Sequence, residues 1–257
     1  MRTTNLWTRD ELIIVFNLYL KLPFGKLHTK TPEVTELASL TGRTVNSIAI
    51  RLSNFASCDP YHQNRGVKGM QGGRQQCQPI WDEFFLNKEA LVFESERILA
   101  EKENQTIEKK FSELLFDLKD LKGETKLREV RTRVNQNVFR QIVIANYNTK
   151  CAITGIDIPD LLVASHILPW AKNENERLNP ENGICLSALY DKAYDRGYIS
   201  ITEKYHVVLS TDLKKKSKHE FFSKYFSHIE GAPIILPKKY LPNKEFLQFH
   251  TDTIFKR

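Results

Sequence analysis

The segment 151–201 constrains the fold more strongly than any other part of this chain. It begins with a mostly apolar run that ends at a histidine, continues through a polar connection that contains an Asn-Gly pair, and closes with two aspartates four residues apart. These signals are His166, Asn182-Gly183, Asp191 and Asp195. A short apolar run bounded by turn residues is typical of a strand, and three- and four-residue apolar spacing is typical of a helix. The segment therefore predicts strand, loop, strand and helix in that order.

The residues around these signals resemble a known family. The run Ser165-His166-Ile167-x-Pro169-Trp170, followed by Asn182-Gly183 and then Asp191-x-x-x-Asp195-x-Gly197, is similar to the HNH endonucleases of bacterial restriction systems. That resemblance implies a ββα-metal finger, in which the histidine ends the first strand and a metal ligand lies on the helix. It also implies that Asn182, in the connection, is not a reactant but orients His166.

The residue types suit the hydrolysis of a phosphodiester. Histidine has the side-chain pKa nearest to neutral pH, so His166 is the candidate general base that takes a proton from water. Asp191 and Asp195 share a helix face, because residues four apart are neighbours on successive turns. Two carboxylates are hard oxygen ligands, which favours Mg²⁺ or Mn²⁺ over Zn²⁺. We therefore expect a metal-dependent endonuclease with these three residues at its centre.

One position departs from the pattern of the family. Many HNH enzymes carry Asp or His just before the general base as a metal ligand, whereas this chain has Ser165. A hydroxyl is a weak ligand, so a metal would rest mainly on Asp191 and Asp195, with Ser165 and water completing its sphere. The alternative hypothesis is a non-catalytic helix-turn-helix DNA-binding regulator with a degenerate finger.

The overall charge favours a polyanionic partner. The chain of 257 residues has a formal net charge of +7 and a pI of about 9.1, with the positive excess in its N- and C-terminal segments. Its four cysteines form no Cys-x-x-Cys pair, so no structural zinc is expected. The sequence shows no signal peptide, so we expect reduced thiols in a cytoplasmic protein. An early apolar run, Leu12 to Leu22, is too short to span a membrane.

Residues 1–85 carry the signals of three short helices. Thr8 forms a capping box with Glu11, Pro32 opens a second helix, and Thr44 caps a third. This pattern resembles a helix-turn-helix unit, whose second helix enters the major groove of DNA. The polar side of the third helix is expected to contact base edges through Arg43, Asn46, Ser47, Arg51 and Asn54. The alternative is a helical bundle with an ordinary polar surface.

Residues 60–79 are rich in Gly and Gln and are predicted to form a flexible basic loop with Arg65, Lys68 and Arg74. Residues 86–122 are predicted to be a helical connector. Its first half is polar and predicts an exposed helix, whereas its second half has an apolar stripe at helical spacing. The stripe comprises Ile107, Phe111, Leu114, Leu115, Leu118 and Leu121. It is expected to pack either on the nuclease domain or on a second copy in a homodimer.

Positive charge flanks the predicted finger on both sides. Arg133, Gln136 and Arg140 lie on the exposed side of a predicted helix before it, and Arg177 and Arg196 lie within it. Arginine forks fit phosphate oxygens, so these side chains are expected to contact DNA near the cut. A solvated basic face is the alternative.

Together these features predict an α+β protein with three segments. They are a helix-turn-helix-like domain (1–85), a helical connector (86–122) and a C-terminal ββα-metal nuclease domain (123–257). The expected function is the hydrolysis of double-stranded DNA by a Mg²⁺-dependent restriction or defence endonuclease, whose cleavage base modification could license or block. Nicking and RNA cleavage are the alternatives among enzymes.

Overall fold

The structure is a computed structural model that describes residues 6–64, 66, 70, 72–118 and 120–257. It is mostly helical with small antiparallel sheets, which confirms the predicted α+β class. The chain divides into two compact units, one ending at Val138 and the other spanning Phe139–Arg257. The predicted division into 1–85, 86–122 and 123–257 stays a prediction about which segments act as domains. Arg65 and Lys68 of the predicted basic loop lie outside the described residues.

The first unit is built from helices. They are α1 (Arg9–Lys21), α2 (Pro32–Thr41), α3 (Val45–Ala56), α4 (Pro60–Gln63), α5 (Gly73–Phe84), α6 (Lys88–Lys102), α7 (Ile107–Lys110) and the first part of α8 (Gly123–Asn146). The predicted capping box of α1 is present, since the Thr8 hydroxyl accepts from the Glu11 amide and the Glu11 carboxylate accepts from the Thr8 amide. Within the described ranges, no helix is long and apolar enough to cross a membrane.

Aromatic packing on α1 forms the centre of the first unit. Phe16 is buried and stacks on Phe55 of α3 and on Trp81 of α5, each with a centroid separation of 4.9 Å. Offset or stacked aromatic pairs stabilise a core beyond the apolar area that they bury. The start of α5 at Gly73 also shortens the predicted flexible loop, and Arg74 belongs to that helix, where it donates to Gln78.

The prediction of an exposed helix in the first half of the connector is wrong. Helix α6 packs against α1, and Glu96 on its inner face is only 2% exposed. The Lys21 ammonium lies 2.5 Å from the Glu96 carboxylate, and the Asn17 amide donates to it at 3.0 Å. Burial raises the pKa of Glu96, but the positive charges of Lys21 and Lys110 outweigh burial and hold this pKa below its ordinary value. A charged residue is thus buried because a positive partner lies against its carboxylate.

Most of the apolar stripe of the connector packs within the same chain, while Leu114 is 36% exposed. Ile107, Leu115 and Leu118 form a cluster with Val130 and Val134 of α8. The stripe is one reason to expect a homodimer, the other being that a restriction enzyme must cut both strands, and most of the stripe is covered here without a second copy. The homodimer stays a prediction that the stripe no longer supports.

The second unit holds the predicted strand–loop–strand–helix segment. Its elements are the end of α8, β1 (Leu162–His166), β2 (Gly183–Ser187), α9 (Ala188–Asp195), β3 (Ile199–Ile201), β4 (Val207–Leu209), α10 (Thr211–Lys214), α11 (Glu220–Tyr225) and α12 (Lys244–Thr253). Strands β1 and β2 are antiparallel, with His166 opposite Gly183. Strands β3 and β4 form a second antiparallel pair.

The close approach of α8 to β2 depends on a glycine. A Cβ atom at Gly183 would lie 2.3 Å from Val143 Cγ2 and 2.9 Å from Phe139 Cζ. Both of these α8 side chains are buried and short of room to move. The packing of the helix on the strand pair therefore requires that position 183 has no side chain.

A buried histidine joins α12 to the end of α9. The imidazole of His250 stacks on the Tyr194 ring at 3.7 Å, and its Nε2 donates to the Tyr194 carbonyl at 3.1 Å. Its Nδ1 accepts from the Ser200 hydroxyl at 2.9 Å. Burial lowers the pKa of His250 to about 4, which the Tyr194 carbonyl and the charge of Asp195 oppose only in part. The histidine is therefore neutral at pH 7.

We expect Gly183→Ala to destabilise the protein by about 1–3 kcal/mol, the usual cost of overpacking a filled interior. The added methyl group would displace Val143 and Phe139. Urea denaturation measures the loss, and Gly25→Ala is the control because nothing lies within 4 Å of a Cβ at Gly25. An unchanged midpoint for Gly183→Ala would contradict the packing argument.

We expect the free energy of unfolding to fall as the pH falls from about 6.5 toward about 4, because of His250. In this window the unfolded state binds a proton at a pKa near 6.5, while the folded state does not until about 4. The stability that depends on His250 is fully present above pH 6.5, and the loss is on the order of 3 kcal/mol when complete.

Denaturation curves at a series of pH values measure this effect. The matched variant is His250→Gln, whose amide does not titrate. It is expected to be less stable at pH 7 but to lose less stability on acidification. An identical pH dependence in the two proteins would show that another group is responsible.

Candidate active site

His166 lies at the end of the strand pair formed by β1 and β2. His166 is the last residue of β1, and its imidazole stacks on the Phe139 ring of α8 with a centroid separation of 3.8 Å. The Trp170 ring meets it edge-on at 5.4 Å. These two rings fix the plane of the imidazole from two directions.

A backbone carbonyl selects the tautomer of His166. The Nε2 atom lies 2.9 Å from the Arg177 carbonyl oxygen, and because a carbonyl can only accept, Nε2 carries the hydrogen. The lone pair of the neutral ring is then on Nδ1. Burial lowers the pKa of His166, and the Arg177 carbonyl opposes this by stabilising the imidazolium. The ring is a neutral base at pH 7 with one nitrogen able to accept a proton.

Asn182 closes the connection between the two strands. Its side chain is 1% exposed, and its Oδ1 accepts from the Leu168 amide at 2.7 Å. Its Nδ2 donates to the Glu176 carbonyl at 3.0 Å and to the Leu168 carbonyl at 3.4 Å. The amide therefore binds the residues just after His166 to the residue just before Arg177, whose carbonyl holds the imidazole.

Ser165, the residue before His166 in β1, interacts with Asp191 of α9. The Ser165 side chain is buried and donates a hydrogen bond to the Asp191 carboxylate, which is half-buried on α9. Burial raises the pKa of Asp191 and the negative charge of Asp195 adds to this, whereas the Ser165 hydroxyl lowers it. Asp195 itself is exposed, with its carboxylate 3.7 Å from Arg196 Nε and 4.0 Å from Lys192 Nζ.

These oxygen donors fit a hard cation but do not form a complete cage. Among the residues that the structure describes, no group of three or more His, Cys, Asp or Glu side chains is arranged to hold a metal. Asp191 supplies a carboxylate, Asp195 lies near enough to raise its pKa, and Ser165 supplies a hydroxyl. Mg²⁺ usually keeps several waters and takes one or two carboxylates with substrate phosphate oxygens, so this donor set is compatible with it.

The two cysteines of the finger, Cys151 and Cys185, are buried. The Cys151 sulfur is buried and accepts hydrogen bonds from the Ser187 amide at 3.2 Å and from the Thr154 amide at 3.4 Å. Burial raises the pKa of the neighbouring Cys185 to about 12, so this thiol is protonated at neutral pH.

Three of the arginines predicted to contact phosphate are already bound within the protein. Arg133 makes a two-pronged ion pair with Asp117 at 2.7 Å, and Arg177 Nε donates to the Trp170 carbonyl at 2.8 Å. Arg140 donates to the carbonyls of Leu162 and Pro159, next to β1. Each of these side chains is held by a partner within its own unit, and their contact with DNA stays a prediction. Of the same set, Gln136 and Arg196 are exposed.

Of the residues predicted to contact bases, some are bound within the protein and others are accessible to solvent. The Arg43 guanidinium binds the Glu11 carboxylate at 2.7 and 2.8 Å and lies over the Trp7 ring, and Arg51 lies over the same ring. Arg51 is 8% exposed, and Asn54 is 2% exposed.

The Arg51 guanidinium donates to the Gly73 carbonyl, and the Asn54 Oδ1 accepts from the Met70 amide. Arg51 and Asn54 are therefore not on an exposed side of α3, and the contact of Arg43, Arg51 and Asn54 with bases stays a prediction. Asn46 is exposed and Ser47 is half-buried at the start of α3.

Comparison with known proteins bears on the finger alone. The model of an HNH endonuclease family matches residues 151–202, a segment that contains β1, β2 and α9 together with His166, Asn182 and Asp191. A comparison with curated proteins gives no significant match. The family match and the ββα order of the elements agree, so residues 151–202 are an HNH endonuclease domain.

Proposed function

We propose that the chain is a divalent-metal-dependent endonuclease that hydrolyses double-stranded DNA in the cytoplasm, with a restriction or defence role. The observation that carries the proposal is the state of His166: its Nε2–H is held by the Arg177 carbonyl, so its Nδ1 is the nitrogen that can accept a proton. The HNH endonuclease domain at residues 151–202 supports the same chemistry.

The imidazole moves one proton in the proposed reaction. His166 Nδ1 takes a proton from a water molecule, the water oxygen attacks phosphorus, and the bond from phosphorus to the leaving 3′ oxygen breaks. The Arg177 carbonyl stabilises the imidazolium as it forms, because it accepts the Nε2 hydrogen in both charge states. Asn182 is a positioning residue, since its amide fixes the loop that presents this carbonyl.

Asp191 and Asp195 would hold Mg²⁺ or Mn²⁺, with Ser165 as a weak additional donor. A bound divalent ion supplies Lewis-acid stabilisation of charge on the phosphate and the leaving oxygen. Asp191 is suited to the ion because its pKa is raised by burial and by the charge of Asp195, so an added positive charge removes an unfavourable interaction.

Several exposed polar residues are proposed to contact the DNA outside the reacting centre. Asn46 and Ser47 lie at the N-terminal end of α3, the position from which a recognition helix approaches base edges. Gln136 and Arg196 are exposed and are proposed to contact phosphates. The buried Arg51 and Asn54 are instead proposed to shape α3 and the segment that leads to α5.

We expect His166→Ala to reduce cleavage of plasmid DNA in Mg²⁺ by about 10²- to 10⁴-fold, the usual contribution of a general base, and to leave DNA binding unchanged. Gel electrophoresis measures cleavage, and fluorescence anisotropy measures binding. The control is His228→Ala, which removes an exposed histidine from the same unit.

Cutting by His166→Ala at the wild-type rate would refute the assignment of the base. A wild-type protein that binds DNA tightly but cuts no plasmid, unmodified or base-modified, would favour the regulator with a degenerate finger.

We expect Asp191→Asn to lose cleavage and affinity for Mn²⁺ together, and Asp195→Asn to lose less of both. Asp191 is half-buried beside Ser165, whereas the Asp195 carboxylate is exposed and already near two cationic side chains. Calorimetric titration of Mn²⁺ without DNA separates metal binding from catalysis. Equal Mn²⁺ affinity in wild type and Asp191→Asn would exclude Asp191 as a ligand.

A further inference from the structure

A pocket of about 560 Å³ opens on the second unit between α9 and the segment 212–226. Its floor is apolar and includes Leu189, Phe221 and Phe226. Leu189 and Phe221 are 46% and 41% exposed, which is high for large apolar side chains. The volume is within the range of protein pockets that bind small ligands. We call this site the basic pocket, because of the residues on its rim.

The rim of the basic pocket is positively charged. Lys192, Arg196, Lys215 and Lys216 line it, and the lining includes one carboxylate, that of Asp212. The pKa of Asp212 is lowered by its hydrogen bond with Lys215, so this carboxylate is ionised and offsets one of the four cations. An excess of positive charge around an apolar floor is complementary to a ligand that combines an anionic group with a flat apolar one.

The basic pocket shares α9 with the candidate active site. Leu189 and Asp191 are two positions apart, about 200° of rotation on a helix, so they lie on nearly opposite faces. Lys192 and Arg196 lie between them, each near the Asp195 carboxylate at 4.0 and 3.7 Å. A strand whose phosphate lies at Asp191 would reach the pocket by crossing one helix, about 10–12 Å in diameter.

We propose that the basic pocket binds one unpaired nucleotide of the substrate strand, on the other side of α9 from the phosphate that is cut. The base would lie on the apolar floor against Phe221, and its phosphate would lie on the lysine and arginine rim. Cationic grooves with aromatic side chains are the general way in which proteins bind unpaired nucleotides. This inference rests on the proposed function, and it adds that the substrate has, or acquires on binding, a base outside the helical stack.

The test compares a short oligothymidine with an abasic sugar–phosphate oligomer of equal length, by fluorescence anisotropy with the full chain in metal-free buffer. The oligothymidine is expected to bind about 5- to 100-fold more tightly, the range for stacking of a base on an aromatic ring. Equal affinity for the two probes would overturn the proposal, as would competition by an acidic peptide of equal charge as strong as that by oligothymidine.

Variants at two positions of α11 test whether Phe221 causes the preference for oligothymidine. Phe221→Ala should remove the preference for oligothymidine, and Phe221→Trp should keep it. Tyr225→Ala should also keep it, since Tyr225 lies on the same helix α11 with a similar exposure of 40% but does not line the pocket. A preference that persists in Phe221→Ala, with circular dichroism unchanged, would place the base elsewhere and refute the pocket.

The charged rim gives a second matched comparison. Lys216→Glu should weaken the binding of both probes and reduce the slope of log affinity against log salt, whereas Lys218→Glu, outside the lining, should change both less. Equal effects of the two variants would count against phosphate on this rim.

Plasmid cleavage by the same preparations keeps the two proposals distinct. Phe221-dependent binding without any cleavage would refute the nuclease and retain the pocket. Cleavage combined with DNA binding that does not depend on Phe221 would retain the nuclease and refute the pocket.

Discussion

The hydrogen bond between His166 Nε2 and the Arg177 carbonyl is the interaction on which the rest of the site depends. It decides which nitrogen can accept a proton, and it requires that the loop between β1 and β2 returns to the end of β1. Asn182 makes that return possible, because one buried amide binds both Leu168 and Glu176, the residues that flank the turn. Gly183 then allows α8 to pack so closely on β2 that Phe139 covers the imidazole. The hydrogen bond from His166 to the Arg177 carbonyl is thus supported by the packing of α8.

The order of elements in the finger could be predicted from the sequence, whereas the partners of its side chains could not. His166, Asn182 and Asp191 lie at the end of a strand, at the turn and on the helix, as their spacing indicates. The Arg177 carbonyl is a backbone group, so no residue type in the sequence predicts its contact with His166. Phe139 is visible in the sequence as one of several apolar residues on α8, but its contact with His166 depends on the absence of a side chain at Gly183.

Charged residues show why a polar pattern is a weak guide to a surface. Sequence alone places Arg51 and Glu96 on exposed helix faces, since charged side chains are seldom buried. Both are buried, because each has a partner that comes from a distant part of the chain: the Gly73 carbonyl for Arg51 and Lys21 for Glu96. Removing such groups leaves a buried charge or a buried polar atom without its partner, which is costly. The sequence pattern shows how polar each position is, but not whether a complementary group contacts that position in the folded protein.

The serine before the general base has a physical role of its own in this arrangement. A carboxylate at position 165 would lie against Asp191 and would raise its pKa further, in the way that the charge of Asp195 already does. The Ser165 hydroxyl instead donates a hydrogen bond that lowers the pKa of Asp191 and favours the ionised form. In the proposed site, one charged ligand is thus replaced, and Asp191 is easier to keep ionised in its half-buried position. A cation held by fewer carboxylates depends more on oxygens of the substrate, so metal binding and DNA binding at this finger should be closely coupled.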